Sequence, residues 1–358
     1  MNRNSKKHEN ILIAVILICT CANLIFNVLL VKNALSCQKM LREAETLAQR
    51  AGAVKENAPE DTDETVQREE TEERESLAEE TEATEAEATE SEELPPSDGS
   101  ETKSLPELEN FLGEAEALGE KWAVSAVDLA DGAVYGYYED IKMQSASVIK
   151  VFIMATVYDR VCYPKDTESA IYVQEQYEGE LKALLTNMIT VSDNDAANRL
   201  VELLGYGSFQ EGQEVVNAFC RENGFEGTSL GRRFLEENPA DDNYTTSGDC
   251  MKLLQDLYNG NCVCAEASEK MLNMLKNQTR TEKIPSGIPE GTVCANKTGE
   301  MPQGYGLGCI ENDIAIVYGE HGDYILCVLS NDLDGRNEEA KKRIAEISGY
   351  VYEEFQNP

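Results

Sequence analysis

Two histidines in 358 residues leave this chain little imidazole chemistry. His8 lies in an N-terminal tail, so His321 alone serves the rest of the protein. A zinc site with two or three imidazoles is excluded. A Ser-His-Asp or Cys-His enzyme would have only His321 to use. That residue stands in Gly319-Glu320-His321-Gly322-Asp323, the pattern of a hairpin turn between two apolar runs, and reads as a solvated turn histidine. Positive charge is also scarce: Lys+Arg number 31 against 67 Asp+Glu, a formal net charge of −36. A surface that acidic repels phosphate backbones, which rules against nucleic acid as a partner. No C-x-x-C occurs among the 11 cysteines; of the eight beyond Cys37, Cys262-x-Cys264 is the nearest approach. Eight of them are scattered from Cys162 to Cys327, either as buried thiols or, in an exported domain, as disulfides.

Charge is missing altogether from Ile11 to Val31, a run long enough to cross a hydrocarbon core as a helix. Arg3, Lys6 and Lys7 precede it. That pattern suits a signal anchor crossing a cell membrane once, with residues 1–10 cytoplasmic; Lys32, Lys39, Arg42 and Arg50 flank the other side, so placing the chain beyond 31 outside rests partly on what the domain does. Cleavage near Ala34-Leu35-Ser36-Cys37 is the alternative. Residues 32–50 place Ala34, Cys37, Leu41, Ala44 and Ala48 at heptad-like spacing, the mark of a short juxtamembrane helix. Residues 51–105 are poor in large apolar side chains, and from Glu56 to Leu105 carry 20 acidic against 3 basic residues. Such a stretch cannot offset chain entropy, so it reads as a disordered, self-repelling linker.

From 106 to 358 the composition is that of one globular domain. A helix is predicted over Leu105–Leu118. Strands follow at Trp122–Leu129 and Val134–Tyr138, with Asp131-Gly132 as the hairpin turn. Helical patterns then dominate from Ser147 to about Gln278. Strand patterns return at Val293–Lys297, Gly306–Tyr318 and Tyr324–Ser330, and Glu338–Phe355 closes as an amphipathic helix. This order predicts an α+β domain: an antiparallel sheet made from both ends of the domain, with an all-helical subdomain inserted between them.

With histidine gone, an activated serine needs another base. Lysine serves when burial or neighbouring positive charge lowers its pKa. Ser147-Val148-Ile149-Lys150 opens a strongly apolar helix, and positions three apart share a helix face. The same spacing in Ser36-Cys37-Gln38-Lys39 shows how little it means alone. Ser192-Asp193-Asn194 follows an apolar run, and Lys297-Thr298-Gly299 ends a strand-like one. Taken singly, these are a helix cap, a helix-helix turn and a strand stopping at glycine. The three together, in this order and with this element order, resemble the S-x-x-K, S-D-N and K-T-G set of class A β-lactamases and penicillin-binding proteins.

The resemblance covers 106–358 and neither the anchor nor the linker. It implies Ser147 as the acylated nucleophile, Lys150 as its base or proton relay, and Ser192 as the proton donor to the leaving nitrogen. Asn194 would bind the substrate amide. Lys297 and Thr298 would bind its carboxylate, with Gly299 completing the motif. The backbone N–H groups of Ser147 and Glu300 would form the oxyanion hole. No metal or cofactor is implied. One departure stands out. The stretch from Leu230 to Thr246 lacks the E-x-x-L-N pattern that holds the deacylating water in these β-lactamases. Glu236, or Glu237, is the available replacement, and Arg232 or Arg233 with Asp241 or Asp242 is expected to pin the loop's neck. The expectation is a monomeric, membrane-anchored domain acting on β-lactams. The alternatives are a peptidase or transpeptidase acting on cell-wall peptide, and a covalent sensor that does not turn over.

Overall fold

The computed structural model describes residues 105–172, 178–236, 241–302 and 309–356. The expected anchor at 11–31, the juxtamembrane helix at 32–50, the acidic linker up to 104 and Glu237 lie outside the described residues. Among the described residues, no helix is long and apolar enough to cross a membrane.

Helix α1 (Pro106–Ala117) starts on a proline, whose fixed φ suits the first turn, and buries Leu108, Leu112 and Ala115. Strands β1 (Lys121–Asp128) and β2 (Val134–Tyr137) pair antiparallel. The C-terminal half supplies β5 (Val293–Met301), β6 (Ile310–Tyr318) and β7 (Asp323–Asn331), and β7 pairs with β1. The five strands run in the order β2-β1-β7-β6-β5, so both ends of the domain build one antiparallel sheet, as expected. Helices α1 and α8 (Asn337–Gln356) cover one face, around Trp122, Leu326, Ile344 and Val351. His321 lies exposed in the β6–β7 turn, the solvated position expected of it.

The other face carries the helical block. It runs from α2 (Lys150–Val157) through α3 (Glu178–Thr190), α4 (Asn194–Leu204), α5 (Phe209–Glu222) and α6 (Ser247–Tyr258) to α7 (Ala265–Lys276). Every residue of α2 is buried, so this apolar helix is the axis on which the others pack. A two-stranded ribbon, β3 (Met143–Gln144) with β4 (Tyr244–Thr245), ties the start of α2 to the chain entering α6.

Two local expectations need correction. Ser147 does not sit in an α-helix: Ala146–Ile149 form a 3₁₀ turn that runs into α2. Ala146 has φ +45, which bends the chain there, and its N–H is taken by Gln144 Oε1 at 2.8 Å. Lys297-Thr298-Gly299 does not end a strand either: β5 runs on to Met301. Gly299 stays inside the strand because the neighbouring turn presses against it. A Cβ there would lie 2.7 Å from Ser145 O and 3.1 Å from Ser147 N.

Candidate active site

The Ser147 turn is held from both sides. The Ser145 N–H and hydroxyl both reach Asn243 O, at 2.9 and 3.0 Å. Gln144 donates to Asp242 Oδ1 at 3.2 Å, and Asp242 in turn receives Arg232 Nε at 2.6 Å, with both side chains nearly buried. The half-buried Ser147 therefore stands on a turn clamped by the chain at 242–243. Residues i and i+3 eclipse in a 3₁₀ turn, which keeps Ser147 and Lys150 on one side.

Lys150 is fully buried. Its Nζ donates to Ser192 O at 2.8 Å, to Ser192 Oγ at 3.3 Å and to Asn194 Oδ1 at 2.7 Å, rather than to Ser147. Ser192 reaches this position through a left-handed backbone, φ +61, while Asp193 caps α4 by accepting from Ala196 N at 3.0 Å. Burial first, then the cation of Arg280, brings the Lys150 amine down from its ordinary 10.5 to about 7, with Asp193 opposing. An amine lowered this far is available in its neutral form at neutral pH, with a lone pair to accept a proton. Lys297, also fully buried, donates to the same Ser192 hydroxyl at 2.9 Å. Burial, Lys150 and Arg280 push its pKa well down. Two amines thus meet on one hydroxyl.

The free edge of β5 forms the opposite wall. Lys297 Nζ also donates to Thr298 O at 2.7 Å, and Gln278 Nε2 to Thr298 Oγ1 at 3.3 Å. Glu300 is a quarter exposed and pairs with Arg280 at 2.5 Å. Burial pushes its carboxyl up, but Lys283, Arg280 and Lys341 leave it below the ordinary carboxylate value. Hydrogen bonds therefore join Lys150, Ser192, Asn194 and Lys297, and the Ser147 turn packs against β5 at Gly299, so the three motifs meet in one place with Thr298 and Glu300 on the same strand. The cations gathered there contrast with the −36 of the whole chain. Among the described residues, no group of acidic, histidine and cysteine side chains is arranged to hold a metal ion.

Glu236 is not part of this group. Its carboxylate is 63% exposed and pairs with Arg233 Nε at 2.9 Å, on the outer side of the loop. Leu235 explains the turn outward: it has φ +66 and is itself exposed. The loop residue that reaches Lys150 is Phe234, 7% exposed, with its ring centroid 4.7 Å from Lys150 Nζ. Asn198 fixes it there, accepting from Phe234 N at 2.9 Å and donating to Phe234 O at 3.2 Å. Of the four residues proposed for the loop's neck, Arg232 and Asp242 form the buried pair, and Arg233 turns to Glu202 at 2.8 Å. Sequence reasoning missed Phe234, Asn198, Gln278 and Arg280. The one available signal was the position of Phe234, two residues after the neck arginine.

This fold and this constellation define a class A β-lactamase-like hydrolase. A family model described as the β-lactamase enzyme family matches residues 106–355. The β-lactamase FAR-1 of Nocardia farcinica is 29% identical over 244 residues, covering 61% of this chain and 73% of that protein. A β-lactamase of Citrobacter koseri is 29% identical over 250 residues, covering 61% and 81%. Among solved structures, a β-lactamase from Sphaerobacter thermophilus matches with a TM-score of 0.57 at 22% identity, over 69% of this chain and 96% of that one. A class A β-lactamase of the last common ancestor of Gram-negative bacteria matches at 0.55 and 24%, over 69% and 98%. The solved structures speak for the fold alone. The chain belongs to the β-lactamase enzyme family.

Proposed function

We propose that this domain is acylated at Ser147 by β-lactams, and that it holds the acyl group longer than a β-lactamase does. Neutral Lys150 takes the Ser147 proton as the oxygen attacks the amide carbonyl. The N–H groups of Ser147 and Glu300 receive the developing oxyanion. The proton travels from Lys150 through Ser192 to the leaving nitrogen, whose bond to carbon breaks. Lys297, Thr298 and Arg280 bind the substrate carboxylate, and Asn194 the side-chain amide. The observation that carries this reading is the meeting of the Lys150 and Lys297 amines on Ser192 Oγ, at 3.3 and 2.9 Å.

Release is the second half of the reaction, and here Phe234 matters. A general base beside the ester contributes a factor on the order of 10² to 10⁴. An aromatic ring in that place supplies none. This favours the reading in which the acyl group goes slowly to water, as in a peptidase or transpeptidase acting on cell-wall peptide, or in a covalent sensor. Placed outside the cell membrane by the anchor at 11–31, with residues 51–105 setting its reach, a monomeric domain meets that substrate. The test is to mix the purified protein with penicillin and follow intact mass and ring-opened product together. A long-lived adduct of penicillin mass supports the proposal. Rapid product release without accumulation makes the protein an ordinary β-lactamase, and no adduct on penicillin or cell-wall peptide refutes acylation.

A further inference from the structure

Beneath the wall of the site lies a cation that the reaction as written does not use. Lys283 is fully buried, and its Nζ pairs with Glu311 at 2.6 Å and with Glu300 at 3.5 Å. The same Nζ donates to two backbone oxygens, Gly299 O at 3.2 Å and Asn312 O at 3.0 Å. Gly299 and Asn312 are register partners on β5 and β6. One nitrogen can touch both oxygens only when both lie between the two strands, because in the other kind of antiparallel pair they point away from each other. Gly299 O therefore points toward β6. In a trans peptide the next N–H points the opposite way, so the Glu300 N–H leaves the free edge of the sheet. The neighbouring contact agrees: Thr298 O meets Lys297 Nζ at 2.7 Å, beside the Ser192 hydroxyl and off the same edge. Ser147 N lies beside this peptide unit, 3.1 Å from where a Gly299 Cβ would stand.

From this we infer that Lys283 is a positioning residue for the oxyanion hole: its ammonium grips the carbonyl end of the Gly299–Glu300 peptide, fixing and polarising the N–H at the other end. Hydrogen bonds in series strengthen one another. A cation on the carbonyl draws electron density from the peptide nitrogen and makes its N–H a stronger donor. Glu311 and Glu300 keep that cation in place and moderate its field. The inference rests on the acylation proposed above and adds a buried residue that never touches substrate.

The test combines two readouts on the β-lactam acyl-enzyme: the acylation rate constant, and the ester carbonyl stretch by infrared difference spectroscopy. In the charge-neutral variant Lys283→Gln/Glu311→Gln, acylation is expected to fall roughly tenfold, less than for loss of a whole oxyanion donor. The ester stretch should move to higher frequency as its hydrogen bond weakens. Lys283→Arg, which keeps the cation, should recover most of the rate and lower the stretch again. Glu311→Gln alone, which frees the cation from its close counterion, should move the stretch to lower frequency. This milder variant decides the matter on its own where the double variant does not fold. An unchanged rate and stretch in a folded double variant, or an unmoved stretch in Glu311→Gln, overturns the role of Lys283 and leaves Ser147 acylation intact. Absence of an acyl-enzyme in the wild type overturns both.

Discussion

The ring of Phe234 stands 4.7 Å from the ammonium nitrogen of Lys150, held by two hydrogen bonds between its backbone and the Asn198 side chain. An apolar group in that position does two things. It removes water from around the amine, which helps keep Lys150 near 7, and it leaves no carboxylate to activate a second nucleophile.

Installing the missing carboxylate is therefore the most informative substitution in the loop. In Phe234→Glu the Asn198 clamp is preserved and a general base faces the acyl ester. Deacylation of a penicillin adduct should quicken by about 10²-fold, at the low end of general-base effects. Single-turnover decay of the adduct mass measures this. Decay at the wild-type rate in a folded variant contradicts the role given to Phe234.

Acylation should depend on pH through Lys150. The amine is active when neutral, so the rate constant should rise with pH through a midpoint near 7. Arg280→Gln removes a cation that disfavours the charged amine. The Lys150 pKa then moves up, and the midpoint moves to higher pH. The same group affects stability. Between about 7 and 10.5 the unfolded chain binds the proton that the folded chain has shed, so Lys150 makes stability increase with pH across that window. A pH series of stopped-flow acylation traces on both proteins checks the midpoint and its shift. A profile that is flat from pH 5 to 9 contradicts the assignment.

Gly299 should tolerate nothing larger. Its absent side chain leaves room for the Ser145–Ser147 turn, and the nearest atoms are backbone, which cannot swing aside. Gly299→Ala should push the turn from β5 and separate the Ser147 and Glu300 N–H groups. The acylation rate constant should fall by about 10²-fold, the usual scale for losing one oxyanion donor. A fall in melting temperature alone, with acylation unchanged, would show that the two N–H groups do not work together.

Much of this was legible in the sequence, for definite reasons. The sheet could be read because its strands carry alternating or continuous apolar runs, and the Asp131-Gly132 turn marked the first hairpin. Ser147, Lys150, Ser192 and Lys297 could be read because their spacing recurs as a set. The end of β5 could not: Gly299 looks like a stop, and only the three-dimensional approach of the Ser147 turn explains why a glycine continues the strand. Glu236 was a natural choice because carboxylates do this chemistry, yet the left-handed Leu235 turns its side chain to solvent. Phe234 was invisible because a phenylalanine in a loop reads as packing. What it packs against, a buried amine 84 residues earlier, is set by tertiary structure.

The most direct measurement is to digest the penicillin-treated protein and locate the adduct, in the wild type and in Ser147→Ala. The full penicillin mass is expected on the peptide containing Ser147, persisting long after free drug is removed, with no labelled peptide in Ser147→Ala. A label on another residue, or labelling that survives the substitution, would contradict acylation at Ser147.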